Sequence, residues 1–507
     1  MYRWVLGWVY SLCAALLSLY GLNSLLLTVL YLWPWGKRAR GGASAGQAVD
    51  TSRAAAVDWP SVTVQLPIYN EKHTAERLLE AVAALDYPRD RLQVQVLDDS
   101  MDETRALVAE AVARLRRDGL EIAHLTRPDR AGYKAGALAA GLGSASGSLI
   151  AILDADFVPS PSFLRDTVPH LSDPEVGCVQ ARWGHANRGY SALTRLQALM
   201  MDGHFVVEQG ARDRHGLPMN FNGTAGVWRR VCIEDAGGWT LDTLTEDLDL
   251  SYRAQMRGWR LRYLPQAVVP GELPVQVGAF KQQQARWAQG SIQTALKTVG
   301  PLLRSNLSWA ARMEGLLHLT GYLAHPLLLL NLLLLLPVRL VQEADPGWAV
   351  GILRGAPALA AIALGPPLLF AVAQAALGGG GGRRLWALPL LILAGVGVSL
   401  SNAWAVLKAL LGVQQGFLRT PKFAVRGQGA GQRETWMESA YALGLDPLIW
   451  GELALAGYSL ALLFWPSFRW DLAPWLILYA GGFGYLAGMG LVQAWRRRMV
   501  RCSRRKG

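Results

Sequence analysis

The chain has 507 residues, a formal net charge of +12 and 51% hydrophobic residues. It is too long for one ordinary domain and too apolar for a wholly soluble protein, which leaves a membrane protein with a soluble part. Cys13, Cys178, Cys232 and Cys502 have no paired spacing, so the sequence supports neither a disulfide framework nor a zinc site.

The apolar residues are gathered into six segments, each near or above the roughly 17 to 25 residues that cross a bilayer. The segments are Val5 to Trp33, Leu316 to Val338, Ala349 to Leu377, Leu388 to Leu411, Ile449 to Trp465 and Leu472 to Trp495. The first exceeds the roughly 7 to 15 apolar residues of a signal peptide, which predicts a retained transmembrane helix within residues 1–36. Residues 37–310 contain no such run and are predicted to form a soluble domain.

Lysine and arginine residues cluster at four places beside the apolar segments, and basic loops stay in the cytoplasm. The clusters lie at residues 37–40, 383–384, 419–433 and 496–506. If all four are on one side, the segment of about 24 residues from Leu388 to Leu411 has cytoplasmic flanks at both ends and does not cross. We expect an interfacial or re-entrant helix there, and an ordinary span with Arg419 outside is the alternative.

This topology predicts a multi-pass protein of the cell membrane. Its parts would be transmembrane helix pairs at residues 311–378 and 446–496, an interfacial helix and loop at 383–433, and a basic cytosolic tail at 497–507. The domain at 37–310 would lie in the cytosol, whose reducing conditions fit the unpaired cysteines.

In the soluble domain, apolar β-rich runs alternate with helical patterns. The expected strands are Val62 to Pro67, Leu92 to Leu97 and Leu149 to Leu153, and the expected helices are Ala75 to Leu85 and Thr104 to Leu115. This alternation predicts an α/β, Rossmann-like domain with a mostly parallel sheet, which binds ligands beyond the carboxyl ends of its strands. Three polar motifs follow such ends: Tyr69-Asn70-Glu71, Asp98-Asp99 and Asp154-Ala155-Asp156.

Paired aspartates after a strand are more often a solvated turn than a site. Asp154 and Asp156, however, lie between the apolar Leu153 and Phe157. Two carboxylates held that close repel unless a cation or another partner neutralises them. Mg²⁺ is typically bound through one or two carboxylates plus substrate phosphates, and it would stabilise a diphosphate leaving group. Asp154 and Asp156 are therefore the predicted ligands of Mg²⁺ or Mn²⁺.

Thr245-Glu246-Asp247 has the pattern of a helix start, with Thr245 as N-cap and acids in the first turn. Capping alone accounts for this pattern. A carboxylate at a helix N-terminus also stays ionised, which a general base requires. Asp247 is therefore the candidate that takes a proton from an acceptor hydroxyl.

The segment from Gln283 to Trp287 precedes the second apolar run. Trp287 offers a flat face to a sugar ring, and Arg286 can make paired hydrogen bonds to phosphate. The alternative is a tryptophan that anchors at the membrane interface and an arginine that snorkels towards it. Lys134 is a candidate phosphate contact, although a surface lysine is the ordinary case.

Seven motifs, in this order, resemble those of the processive family-2 glycosyltransferases, in particular the cellulose-synthase-like branch with plant glucomannan and xyloglucan-backbone synthases and bacterial relatives. They are Leu66-Pro-Ile-Tyr-Asn-Glu71, Asp98-Asp99-Ser100, Gly132-Tyr-Lys-Ala-Gly136, Asp154-Ala-Asp156, Phe221-Asn-Gly-Thr-Ala-Gly226, Thr245-Glu-Asp247 and Gln283-Gln-Ala-Arg-Trp287. The resemblance covers roughly Ser61 to Arg433. It implies a GT-A type glycosyltransferase domain joined to an α-helical transmembrane region.

The resemblance also implies a role for each matched residue. The nucleotide sugar would contact Tyr69, Glu71, Asp99, Lys134, Asp154, Asp156 and Arg286. The acceptor would contact Asn222, Gly223, Thr224, Gln283 and Trp287, and Asp247 would be the catalytic base.

A less complete match is the segment from Phe417 to Lys422, which occupies the place of the family's gating loop. Thr420 and Lys422 fit that loop, but its usual ending is altered. A basic loop that binds lipid headgroups is an equal alternative. Arg497 and Arg501 belong to the basic tail, which we expect to anchor to anionic lipid.

The implied activity is inverting transfer of a hexose from a nucleotide sugar to a growing β-glycan, coupled to export through the membrane. UDP-glucose is the first choice of donor and GDP-mannose the second. A non-processive glucosyltransferase that makes a membrane glycolipid is the alternative, and a non-catalytic membrane partner or translocator is a third hypothesis. The expected partners are the nucleotide sugar, a glycan or lipid acceptor and membrane lipids, with no nucleic acid.

Overall fold

The computed structural model describes residues 2–33, 59–344, 364–378, 384–413, 416, 418–425, 435–465 and 472–504. Some sequence predictions lie outside the described residues, namely those on Lys37, Arg38, Arg40, the first part of Ala349 to Leu377, Arg383, Phe417, Arg426, Arg433 and Lys506. The boundaries proposed for the parts of the chain therefore stay predictions.

One mixed sheet forms the centre of the soluble domain. Its strands are β1 (Val62–Ile68), β2 (Leu92–Asp98), β3 (Ile122–Thr126), β4 (Leu149–Ile152), β5 (Val176–His185), β6 (Gly226–Arg229) and β7 (Arg260–Gly271). They are ordered β3-β2-β1-β4-β6-β5-β7. The first four pair in parallel, as predicted, and β5 pairs in parallel with β7. Strand β6 is antiparallel to both of its neighbours, β4 and β5.

The helices up to residue 304 are α1 (Tyr2–Leu32), α2 (Ala75–Ala83), α3 (Thr104–Arg117), α4 (Tyr133–Ser144), α5 (Phe163–Thr167), α6 (Ala192–Asp202), α7 (Gly210–His215), α8 (Arg230–Asp235), α9 (Glu246–Met256) and α10 (Val277–Arg304), with a π-helix at Gly203–Gln209. They cover both faces of the sheet. Leu66 packs with Leu78 of α2 on one face, and Ile150 packs with Leu138 of α4 on the other. Because both faces are covered, the polar residues gather where the strands end.

The later helices are α11 (Trp309–Thr320), α12 (Ala324–Ala344), α13 (Gly365–Leu377), α14 (Leu388–Gly397), α15 (Ser399–Leu410), α16 (Thr435–Glu438), α17 (Ile449–Leu463) and α18 (Ala473–Arg504). Within the described ranges, three helical stretches are long and apolar enough to cross a membrane: Arg3–Leu32, Trp309–Ala344 and Ala473–Cys502. Helices α13 and α17 are apolar but have only 13 and 15 residues. Their crossing stays a prediction, since a span needs roughly 17.

The segment predicted to lie in the membrane interface forms two helices, α14 and α15, which meet at a bend of 42°. Ser399, Ser401 and Asn402 are buried, and Asn402 Nδ2 lies 3.0 Å from His325 Nε2 of α12. These polar side chains therefore face protein. Helix α15 packs along α10, so the segment that follows α15 starts beside the soluble domain.

Candidate active site

A cavity of about 180 Å³ lies beyond the carboxyl ends of β1, β2 and β4 and is bordered by α9, α10 and residues 419–422. Fourteen of the fifteen predicted site residues line it: Tyr69, Glu71, Asp99, Lys134, Asp154, Asp156, Asn222, Gly223, Asp247, Gln283, Arg286, Trp287, Thr420 and Lys422. Thr224 lies behind the wall, where its Oγ1 accepts a hydrogen bond from the Asp154 amide at 2.8 Å. The fold therefore gathers motifs from the whole length of the domain.

Each carboxylate of the Asp154-Ala155-Asp156 motif forms an ion pair with a lysine. Lys134 Nζ donates to Asp154 Oδ1 at 2.5 Å and to the Gly223 carbonyl at 2.9 Å. Lys422 Nζ donates to Asp156 Oδ2 at 2.6 Å. Burial raises the pKa of Asp154, and the Lys134 charge opposes that rise. In this structure the close carboxylates are thus neutralised by lysines, so their proximity does not by itself require a metal.

The same two carboxylates fit a divalent cation that arrives with its substrate. No group of three or more potential metal-ligating side chains exists among the residues that the structure describes. Mg²⁺ rarely takes an all-protein cage, and it usually combines one or two carboxylates with substrate phosphates and water. Asp154 and Asp156 both line the cavity and supply such oxygen ligands. They would hold the cation once a diphosphate completes its coordination.

Asp247 lies in the first turn of α9 and faces the cavity. Burial raises the pKa of its carboxyl, the charge of Glu246 raises it further and Lys134 opposes both, which leaves the pKa at about 7. The predicted cap is only partly correct. Thr245 occupies the N-cap position, but its side chain makes no capping bond, and its Oγ1 lies 3.2 Å from Thr294 Oγ1 of α10. Close packing of α9 on α10 takes the hydroxyl away from the helix end.

Gly223 lies beside Asp247 at a position that disfavours a side chain. Its φ angle is +81°, in the left-handed region that favours glycine. A Cβ there would lie 2.9 Å from Asp247 Oδ2 and 3.4 Å from Lys134 Nζ. The glycine lets the backbone approach these two groups, and its carbonyl then accepts from Lys134.

Gln283, Arg286 and Trp287 lie on one face of α10, because positions three and four apart are neighbours on a helix. All three line the cavity. Burial lowers the pKa of the Arg286 guanidinium, and the nearby carboxylates, led by Glu246, oppose this. A guanidinium among carboxylates on a cavity wall is suited to receive a diphosphate.

The far end of the cavity carries the first two motifs. Arg127 Nε donates to Asp99 Oδ1 at 2.9 Å, and Arg127 also pairs with the second oxygen of Asp99. The Arg130 guanidinium lies 3.3 Å from the centroid of the Tyr69 ring. Neither arginine was singled out from the sequence, since arginines near a surface carry no local signal. This end offers stacking planes, a carboxylate and cations to a nucleoside.

The segment 418–425 closes one side of the cavity. Arg419 donates through Nε and Nη2 to the two carboxylate oxygens of Glu71, each at 2.8 Å. The Phe423 amide donates to Glu272 Oε1 at 2.8 Å, and Thr420 is buried. Arg419 and Glu272 are site residues that sequence reasoning missed. Ion pairs between segments so far apart leave no trace in local pattern.

His204 and Glu208 support the predicted acceptor residue Asn222. His204 Nε2 lies 2.9 Å from Asn222 Oδ1, and His204 Nδ1 lies 2.8 Å from Glu208 Oε2. Burial alone would raise the pKa of Glu208, but its bond to His204 and the charge of Arg212 lower it to about 2. Both side chains stand on the π-helix, a form that occurs frequently at functional sites. In the sequence, the four-residue spacing of His204 and Glu208 was the only feature that could have indicated this pair.

Comparisons with known proteins place the soluble domain next to glycosyltransferases. Residues 60–290 match the family described as "Glycosyltransferase like family 2". "Glucomannan 4-beta-mannosyltransferase 7" of Arabidopsis thaliana is 36% identical over 261 residues, 50% of this chain and 47% of the relative. "Probable glucomannan 4-beta-mannosyltransferase 6" of Oryza sativa subsp. japonica is 44% identical over 246 residues, 48% of this chain and 43% of the relative. The match thus spans less than half the length of each relative.

A solved structure, "Mannosyltransferase PcManGT from Pyrobaculum calidifontis in complex with GDP-Man and Mn2+", is 24% identical with a TM-score of 0.49. The alignment covers 79% of this chain and 99% of that one. Residues 60–290 thus match the family-2 glycosyltransferases, and the glucomannan mannosyltransferase relatives agree with the resemblance that the ordered motifs carry.

Proposed function

We propose that the protein is a membrane-embedded inverting hexosyltransferase that transfers mannose from GDP-mannose to a growing β-glycan. One observation carries the reaction type: the predicted base, the two carboxylates, Lys134 and Arg286 line a single cavity at the strand ends. The sequence placed UDP-glucose first and GDP-mannose second. The relatives are named as mannosyltransferases, which gives no support to glucose and favours the second choice.

In the proposed mechanism, Asp247 accepts the proton of the attacking acceptor hydroxyl. A pKa of about 7 suits this task, because a general base works best when its pKa is near the working pH. Attack on the anomeric carbon from the face opposite the nucleotide breaks the bond to the diphosphate and inverts the configuration. Trp287 and Trp183 both line the cavity and offer flat faces to sugar rings.

The leaving diphosphate gains negative charge, and this chain places two cations to receive it. Lys134 and Arg286 line the cavity on the side of the Asp-Ala-Asp motif. A divalent cation held by Asp154 and Asp156 would supply further stabilisation of that charge. Donor phosphates would also attract Lys422 away from Asp156, because both anions compete for one ammonium group.

We also propose that the soluble domain faces the cytosol of a multi-pass membrane protein. Gln374 near the end of α13 bonds to Asp202, and Gln493 of α18 bonds to the Val275 carbonyl, so both helix ends meet the soluble domain. Helix α14 packs on α6, and the segment after α15 lines the cavity. Both ends of the bent pair therefore contact one domain, which supports an interfacial or re-entrant arrangement.

The test is a donor panel on the full chain in lipid nanodiscs, with radiolabelled GDP-mannose, UDP-glucose and GDP-glucose. We expect label from GDP-mannose in a product that an endo-β-mannanase releases, and none with the Asp247→Asn variant. Transfer from UDP-glucose alone would overturn the donor proposal. Label that dissolves in organic solvent and resists the endo-β-mannanase would instead identify a glycolipid product. The absence of transfer from every donor would revive the non-catalytic hypothesis.

A further inference from the structure

Two adjoining cavities of about 310 and 610 Å³ lie between α10 and the later apolar helices, beside the proposed donor site. They share the lining residues Gly278, Lys281, Leu443, Gly444 and Asp446, so they lie next to each other along α10 and are treated together as one groove. It begins beside Trp404 and Lys408 of α15 and ends beside Arg498 and Arg501 of α18. We call it the α10–α18 groove.

Small and apolar residues keep this groove open. Gly278, Gly444 and Gly490 line it, and a Cβ built on Gly444 would meet no atom within 4 Å. Ile449 and Leu443 contribute apolar wall. A free inorganic anion would gain nothing from such a wall, whereas an acyl chain would bury apolar surface against it.

Exposed tryptophans mark the mouth of the groove. The exposed fractions of Trp404, Trp450 and Trp495 are 51%, 64% and 60%. Trp450 is in the first turn of α17, and Trp495 stands where the apolar part of α18 gives way to arginines. Tryptophan is enriched at the boundary between membrane and water. The mouth therefore lies at the level of the lipid headgroups.

Positive charge is concentrated at the α18 end. Arg498 and Arg501 are exposed and line the groove, and neither forms a salt bridge within the described part of the chain. Arg497 differs, because it donates to the carbonyls of Met437 at 3.2 Å and Leu443 at 2.6 Å. The basic tail is thus the last part of the long helix α18. In it Arg497 binds neighbouring carbonyls, whereas Arg498 and Arg501 border the groove.

Asp446 is the acidic residue among those that line the groove, and it already forms an ion pair. Lys281 forms ion pairs with Asp446 and, at 2.6 Å, with Glu452. Lys281 and Glu452 are buried, so this cluster joins α10 to the start of α17. Lys281 is thus already paired, and the positive charge available for an anionic headgroup lies at the other end, on Arg498 and Arg501.

We propose that the α10–α18 groove binds an anionic phospholipid, with its phosphate between Arg498 and Arg501 and part of its acyl chains along the apolar wall. Basic pockets between membrane helices on the cytoplasmic side are suited to acidic headgroups. The helix of the Gln283 to Trp287 motif forms the inner wall, and Arg286 lines both this groove and the active-site cavity. A lipid here would contact the scaffold of the donor site without entering it.

The test uses the delipidated full chain in detergent, titrated with dioleoyl phosphatidylglycerol and followed by native mass spectrometry. Arg498→Gln combined with Arg501→Gln should weaken binding of this lipid roughly 30-fold, as expected for two basic residues at a headgroup. Arg496→Gln is the matched control, because Arg496 is exposed on the same helix but does not line the groove. It should bind like the unmodified protein.

A second variant, Gly444→Trp, fills the groove without changing its charge. It should lose the bound lipid while its unfolding temperature stays unchanged. The proposal fails if the double arginine variant keeps its affinity for phosphatidylglycerol, or if Arg496→Gln loses as much. It also fails if phosphatidylcholine binds equally well, or if inorganic phosphate displaces the lipid at equal concentration.

Discussion

The surroundings of Asp247 shift its pKa in opposite directions. Burial and the Glu246 carboxylate favour the protonated form, and Lys134 favours the ionised form. Lys134 is itself held by Asp154 and the Gly223 carbonyl. The protonation state of the proposed base is thus set by its neighbours, and this leads to two predictions at the scale of single residues.

Replacing Asp247 with asparagine should lower kcat by roughly 10²- to 10⁴-fold, because it removes the proton acceptor and keeps the shape. The dissociation constant for the donor, measured by isothermal titration, should change much less. Asp156→Asn is the contrast, since it should mainly weaken donor binding. A variant Asp247→Asn with near-normal turnover would show that another group is the base.

The rate should also depend on pH through Asp247. With a pKa of about 7, the base is ionised above pH 7, and kcat/KM should fall as pH decreases below that value. Glu246→Gln removes a negative charge that raises this pKa, so the acidic limb of the profile should move to lower pH. A limb that stays in place, or moves upward, contradicts the assignment.

At the scale of elements, the segment 418–425 is tied to three different parts of the soluble domain. Arg419 contacts the motif after β1, Lys422 contacts the motif after β4, and Phe423 contacts Glu272 after β7. Arg419 and Lys422 are the two cations of the segment that line the cavity. The segment therefore borders the cavity, and the gating role that the resemblance implied stays a prediction.

Lys422→Met should raise the KM for the nucleotide sugar by about 10- to 100-fold, the value of a lost charged hydrogen bond. The KM for the acceptor should change little, because Lys422 lies on the side of Asp156. Lys72→Met is a suitable control, since Lys72 pairs only with the exposed Glu103 among described salt bridges. If the two substitutions raised the KM equally, the loop would have no specific part in donor binding.

At the scale of the whole molecule, buried ion pairs join the soluble domain to the membrane helices. Arg212 of α7 donates to Glu314 of α11 at 2.8 Å, and Lys281 of α10 meets Glu452 of α17 at 2.6 Å. Removing one partner of a buried pair typically costs about 3 to 5 kcal/mol, because the other charge is left buried and uncompensated. These contacts hold α11 and α17 in fixed positions against the catalytic domain.

The proposed topology predicts which cysteines an impermeant maleimide reaches in intact cells. Cys13, Cys178 and Cys232 are buried and Cys502 is exposed, so Cys502 is a natural reporter for the end of α18. It should react only after the membrane is permeabilised. In a Cys502→Ser background, Leu411→Cys should behave in the same way, whereas Phe464→Cys at the far end of α17 should react from outside. Labelling of Leu411→Cys from outside intact cells would show that α14 and α15 together cross the membrane as an ordinary span.

Local pattern was sufficient for much of the fold and for the three motifs at strand ends, whereas the family resemblance supplied the acceptor residues and the loop residues of the cavity. The strands Val62–Ile68 and Leu92–Asp98 were predicted to within one residue, because a buried strand and the polar residue after it are adjacent in the chain. The same adjacency placed Asp99 and Asp154 at one edge of a parallel sheet. Strand β6 was not predicted, since four residues after a turn carry too little pattern.

The sequence by itself determined which residues meet at the strand ends and which helices are apolar, since both follow from periodicity over a few residues. Only the tertiary structure decided their partners. Lys422 reaches Asp156 across 266 residues and Arg419 reaches Glu71 across 348, and no local preference encodes such pairs. The charge pairing in the site and the position of residues 418–425 therefore arise from long-range packing, because buried charges are costly unless distant lysines and arginines pair with the acids.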